Sequence, residues 1–147
     1  MAKFMCQSEN EALTAATVKT CVQYVAGAAT IARVRAWGIS MDGVTAANVP
    51  GDVELLRQTT AGTASALTPV DWDDRARTAE GTAQKTFTVE PTAGNILHPL
   101  QLTPNGGVYE VWYGDDGPQV PASGRIGIRG NFANNVNASV WMLVEEL

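Results

Sequence analysis

Arg33-Val34-Arg35-Ala36-Trp37-Gly38-Ile39-Ser40-Met41-Asp42-Gly43 is the stretch that decides the fold class. It opens with apolar Val34 and Ala36 between Arg33 and Arg35, then carries Trp37, Ile39 and Met41 on the opposite parity, with Gly38 at the change. Side chains alternate faces along a strand, so a parity change calls for a bulge or a strong twist, which glycine accommodates most readily. Asp42-Gly43 supplies turn chemistry at its end. Beyond a loop containing Pro50-Gly51, the run is answered by Val53-Glu54-Leu55-Leu56-Arg57. Both runs are too short for helices and rich in strand-forming residues, which predicts two strands of an antiparallel sheet. Neither carries a catalytic group, so this part of the chain is devoted to packing.

Further strands follow from the same pattern. Val18, Thr20, Val22, Tyr24 and Ala26 alternate with Lys19, Cys21 and Gln23, as in a half-buried strand. Thr86–Val89 alternates and stops at Glu90-Pro91. Leu97–Thr103 is joined to Val108–Tyr113 by Pro104-Asn105-Gly106-Gly107, a strong hairpin signal. In the second of these runs Tyr109, Val111 and Tyr113 face one way, and Val108, Glu110 and Trp112 the other. Arg125–Arg129 points Ile126 and Ile128 inward, and Val136, Ala138, Val140, Met142 and Val144 hold one parity in the last strand. Residues 60–65 read as a loop or weak edge strand, and 69–81 as an excursion between strands. Residues 1–16 are less regular, an N-terminal arm or a first strand, ahead of a single β-sandwich domain at 17–147.

About eight short strands with Gly, Pro and Asn turns and no amphipathic helix predict an all-β, antiparallel two-sheet sandwich. Eight strands and a long cross-connection at 60–85 fit a jelly roll. An immunoglobulin-like sandwich is the nearest competitor, but Trp37 lacks the flanking cysteines that would support it.

The 147 residues, 45% hydrophobic, suffice for one domain with a sizeable core. Net charge is −5 and the ten basic residues form no run, so no nucleic-acid partner is expected. Cys6 and Cys21 are expected as free, half-buried thiols, since a chain this size needs no disulfide. The polar stretch Gln7–Glu11 rules out a secretory core at the N-terminus, and no apolar run approaches the ~20 residues that cross a bilayer. A soluble protein made in a cytoplasm, with no membrane partner, is the expectation.

Candidate chemistry is sparse. His98 is the single histidine, is followed by Pro99, and reads as a strand-end surface residue; no nucleophile elbow or zinc spacing accompanies it. Asp71, Asp73 and Asp74 form the best oxygen-ligand cluster, with Asp115 and Asp116 second. The first lacks the glycine and bidentate glutamate of a calcium loop and has Arg75 and Arg77 as local partners. Glu54, Glu90 and Glu110 are the carboxylates from which a glycosidase pair would be drawn. Trp37, Trp72, Trp112, Tyr113 and Trp141 would stack sugars in a carbohydrate-binding module, though aromatics at strand spacing more often fill cores or interfaces. Asn137-Ala138-Ser139 matches a glycosylation sequon but lies in a strand. No phosphate-binding glycine motif occurs, so no catalytic, cofactor or metal site is assigned.

Several of these runs together resemble a known group. Trp37-Gly38-Ile39-Ser40-x-Asp42-Gly43, Val53-Glu54-Leu55-Leu56-Arg57-x-Thr59-Thr60-Ala61-Gly62-Thr63, Thr88-Val89-Glu90-Pro91-Thr92 and Val120-Pro121-Ala122-Ser123-Gly124-Arg125-Ile126-Gly127-Ile128-Arg129 are similar to small β-sandwich proteins encoded among tailed-bacteriophage head genes. The resemblance runs from about Val18 to the end and implies a capsid decoration (cement) protein. Such a protein binds the outer capsid surface through the major capsid protein, as a homotrimer, and stabilises the shell. Lys3, Phe4 and Met5, with Trp72, are the expected capsid or subunit contacts, because they fall outside clear strand periodicity. The alternative is a carbohydrate-binding head-fibre or tail module.

Overall fold

The alternating runs fold into twelve strands, described here in a computed structural model for all residues except 43–47 and 106. They are β1 (Ala2–Leu13), β2 (Lys19–Val25), β3 (Ala32–Met41), β4 (Gly51–Gln58), β5 (Thr63–Leu67) and β6 (Val70–Asp71), then β7 (Thr82–Val89), β8 (Ala93–Leu102), β9 (Gly107–Trp112), β10 (Gln119–Val120), β11 (Arg125–Asn131) and β12 (Val136–Glu146). A single 3-10 turn, Gly114–Asp116, is the only helical element among the described residues. All pairings are antiparallel. Sheet A runs β10-β3-β12-β1-β6, with β9 alongside β10 on the free edge of β3; sheet B runs β5-β7-β2-β11-β4-β8.

The predicted two-sheet antiparallel sandwich is the fold. The core lies between the sheets and is built from the inward parity of the central strands: Phe4 and Cys6, Val22 and Tyr24, Trp37 and Ile39, Val53 and Leu55, Ile126 and Ile128, and Val140, Met142 and Val144. Burying such side chains contributes roughly 25 cal/mol per Å² of apolar surface, which is why strand parity was so readable.

Several local expectations change. The N-terminal segment is a strand and not an arm: β1 pairs with β12 from Ala2↔Glu146 to Leu13↔Val136, and this pairing places Phe4, Cys6 and Leu13 in the core. Strand β2 is buried on both faces, because Gln23 and Cys21 are covered as completely as Val22. Both thiols are fully buried, not half-buried. Gln23 is held from outside the sandwich by Gln58 Oε1 at 2.7 Å and the Thr60 carbonyl at 3.1 Å, a polar layer over this part of β2.

The parity change in β3 falls at Arg35-Ala36, opposite the Leu143/Val144 irregularity, and not at Gly38. Gly38 is required for another reason. The Trp141 indole lies over it, and a Cβ there would stand 2.5 Å from Nε1. The two runs first read as partners, β3 and β4, belong to different sheets. β3 lies between β12 and β9, and β4 between β11 and β8. The predicted hairpin pairing between β8 and β9 is likewise absent: β8 pairs with β4 in sheet B and β9 with β3 in sheet A. Both strands have one apolar face, and splitting them lets each cover its own end of the core. Two predicted turns, at Gly43 and Gly106, lie outside the described residues.

Candidate interaction surface

The inward faces of β8 and β9 meet at one open side of the sandwich and close it with aromatic rings. Trp37 Nε1–H donates to the Tyr113 hydroxyl at 3.1 Å, and His98 Nδ1 lies 2.7 Å from the same oxygen. His98 stands edge-on to Trp37, with ring centroids 5.7 Å apart. His98 is therefore a half-buried, hydrogen-bonded residue in the middle of β8, not a surface residue at a strand end. Burial pushes the Tyr113 phenol above its ordinary range, so it stays protonated as a link in this chain.

The acidic candidates are committed locally. The Asp71 carboxylate receives Arg77 Nη2 at 2.9 Å and the Arg77 and Arg75 amides at 3.0 Å, and Asp73 takes the same guanidinium at 2.6 Å. The Arg77 contacts hold the Asp71 carboxyl well below the usual carboxylate range. Asp115 is paired with Arg35, which also holds buried Glu145 at 3.1 Å. Among the described residues no three His, Cys, Asp or Glu side chains converge in a way that would hold a metal. Glu54 binds Arg129 on the outer side of sheet B at 2.7 Å, Glu90 holds Thr20, and Glu110 stands exposed on the outer side of sheet A. Glu110 thus lies on the opposite sheet from the other two, each of which is engaged locally.

The aromatics divide in the same way. Trp37 and Tyr113 turn inward, while Trp112 and Trp141 lie outside sheet A with centroids 5.8 Å apart and planes at 52°. Directly opposed residues share a face, so register places Val70, Met5, Leu143, Ala36 and Trp112 in one row across β6, β1, β12, β3 and β9. Four inter-strand spacings make this apolar row roughly 19 Å long. Its centre, Leu143 and Ala36, is covered, but its ends are open: Val70 is 57% exposed and Trp112 61%. On one side runs Lys3, Glu145 and Arg33; on the other, Gln7, Trp141, Gly38 and Glu110.

No protein-family model, curated protein or solved structure matches the chain.

Of the four contact residues expected from sequence, three gather at the β1–β6 edge of this face. Met5 pairs with Val70, and the Trp72 amide donates to the Lys3 carbonyl at 2.9 Å, which leaves Trp72 50% exposed beside them. Phe4 is the exception. Strand alternation turns it into the core, fully buried, so no outside partner reaches it. Sequence reasoning missed Val70, Leu143 and the long row itself. The apolar residues were visible, but the register that aligns five strands was not.

Proposed function

We propose that this chain is a structural virion protein of a tailed phage, a decoration protein that binds the outside of the capsid as a trimer and stabilises the shell. The observation that carries it is the exposed apolar end of sheet A at β6, where Val70 and Trp72 stand beside Met5 and Lys3. Exposed apolar side chains gathered at one place mark contact sites, and tryptophan is the residue most enriched among strong contacts.

Two further features support this reading. The strand order favours a jelly-roll description of the sandwich, since β1, β12, β3 and β9 face β2, β11, β4 and β8 in the manner of interleaved Greek keys. The −5 net charge suits a surface turned to solvent on the outside of a particle. A protein that binds the assembled shell but not its dissociated subunits stabilises the shell by mass action. Three linked copies allow each contact to be weak, because the second and third become intramolecular.

The test is the solution mass by light scattering together with occupancy on heads assembled without the protein. A mass three times the 15.6 kDa chain and saturable occupancy are expected. The double variant Val70→Asp, Trp72→Ala should lose at least one of the two while keeping its strand signal in circular dichroism. Unchanged mass and unchanged occupancy in that variant would remove the contact assignment.

A further inference from the structure

β1 leaves regular pairing with β12 between Ser8 and Glu11, where Asn10 takes a left-handed conformation at φ 52°. The bulge opens a groove of about 390 Å³ on the outer face of sheet A, lined by Gln7, Glu9, Asn10, Ser40, Ser139 and Trp141. That volume is in the range of small-molecule sites (~300–1,000 Å³). We propose that this groove, bounded by the Asn10 bulge at one end and the Trp141–Trp112 pair at the other, binds a neutral saccharide.

The chemistry of the lining selects the ligand class. Ser40 and Ser139 are register partners at the floor. Ser139 Oγ accepts the Asn10 amide proton at 3.0 Å, which fixes the hydroxyl while leaving its own proton to donate. Gln7 and Asn10 bring side-chain amides that both donate and accept, and Glu9 brings a carboxylate that only accepts. A sugar hydroxyl both donates and accepts, so it satisfies each of these partners. At the far end, Trp141 presents an indole supported by Gly38 beneath and Trp112 beside it, an apolar surface for the C–H side of a pyranose ring.

Charge excludes the alternatives. No Lys or Arg lines the groove, and Glu9 at its rim and Glu110 two strands from Trp141 in the same row would repel phosphate, sulfate and uronate groups. The groove begins about four residues along β1 from Lys3, roughly 14 Å from the Trp72 anchor, so saccharide and shell contacts are held by different residues.

The experiment is an NMR titration of the indole N–H signals with neutral tri- to pentasaccharides built on glucose, mannose, galactose and N-acetylglucosamine, alongside sialylated and uronate-containing counterparts. A saturable shift of the Trp141 signal with at least one neutral ligand, and none with the acidic series, is expected. Trp141→Ala should weaken that binding about tenfold, and Trp141→Phe, which keeps a ring, by less. Ser139→Ala should weaken it while leaving the urea midpoint near that of the parent, and Val70→Asp, Trp72→Ala should leave saccharide binding intact. The absence of a shift with every neutral ligand at about 10 mM overturns the assignment. So does preference for the acidic series, or undiminished binding in folded Trp141→Ala.

Discussion

Tyr24 donates its hydroxyl proton to Glu146 at 2.9 Å, joining the centre of sheet B to the last residue of β12 in sheet A. The same carboxylate accepts the Gly81 amide at 2.8 Å and the Glu80 amide at 3.1 Å, so one buried group ties both sheets to the end of the 72–81 segment. Burial, followed by the hydrogen bond to Glu146, pushes the Tyr24 phenol far above its ordinary range and keeps it a donor. Glu146→Gln retains one acceptor oxygen for three donors and turns an amide NH2 toward at least one of them. It should cost about 1–3 kcal/mol, and Tyr24→Phe about 1 kcal/mol. Urea denaturation of the single and double variants measures both, and strict additivity would show that the two groups do not act together.

The two thiols predict the alkaline limit of stability. Burial, with a smaller contribution from nearby carboxylates, pushes Cys6 and Cys21 from 9.0 up to about 12. A raised folded-state value means the stability is complete below pH 9 and is lost as pH rises toward 12, because only the unfolded chain ionises readily in that window. A thiol reagent at pH 8 should find neither cysteine in the folded protein and both in urea. Rapid labelling without denaturant would contradict this burial.

Asp71 sets the acid side of the 71–77 segment. Its carboxyl is held below the ordinary range by Arg77 first and then by backbone amides. A depressed folded value contributes stability above the unfolded pKa near 3.9, and that stability fades as pH falls below it. The difference in urea midpoint between the parent and Asp71→Asn should therefore be widest above pH ~4 and narrow at lower pH. A difference independent of pH would mean that the carboxylate charge is not what orders the segment.

Two glycines separate packing from local flexibility. A Cβ on Gly117 would fall inside the van der Waals shell of the Val34 carbonyl oxygen, whereas Gly107 has nothing within 4 Å of that position. Backbone cannot step aside as a side chain can, so Gly117→Ala should destabilise by about 3 kcal/mol. Gly107→Ala should change stability by less than about 0.5 kcal/mol. Thermal midpoints of the two variants provide the comparison, and similar values would refute it.

Inward and outward residues were legible wherever one face met the core and the other did not. Tyr109, Val111 and Tyr113 turn in and Val108 and Trp112 turn out as their alternation indicated, with Val108 69% exposed. The signal failed where both faces are covered. Gln23 and Cys21 in β2 read as a solvent-facing parity, yet a polar layer hides one and the core the other. Residues 1–16 read as irregular because the Asn10 bulge interrupts the period of β1. The proposed saccharide groove depends on that same bulge, and the only sequence signal for it was a break in pattern.

Local side-chain chemistry by itself determined the all-β class, the two-sheet sandwich and most strand positions, because hydrophobic burial rewards a period of two within each run. Tertiary structure alone decided which runs are neighbours. β3 and β4 separate into different sheets, β8 and β9 likewise join different sheets and do not pair, and Phe4 enters the core while Met5 joins the apolar row. Backbone hydrogen bonds are the same for every pair of strands, so partner and register are chosen by how all the apolar faces can be buried at once, a condition no single stretch of sequence contains.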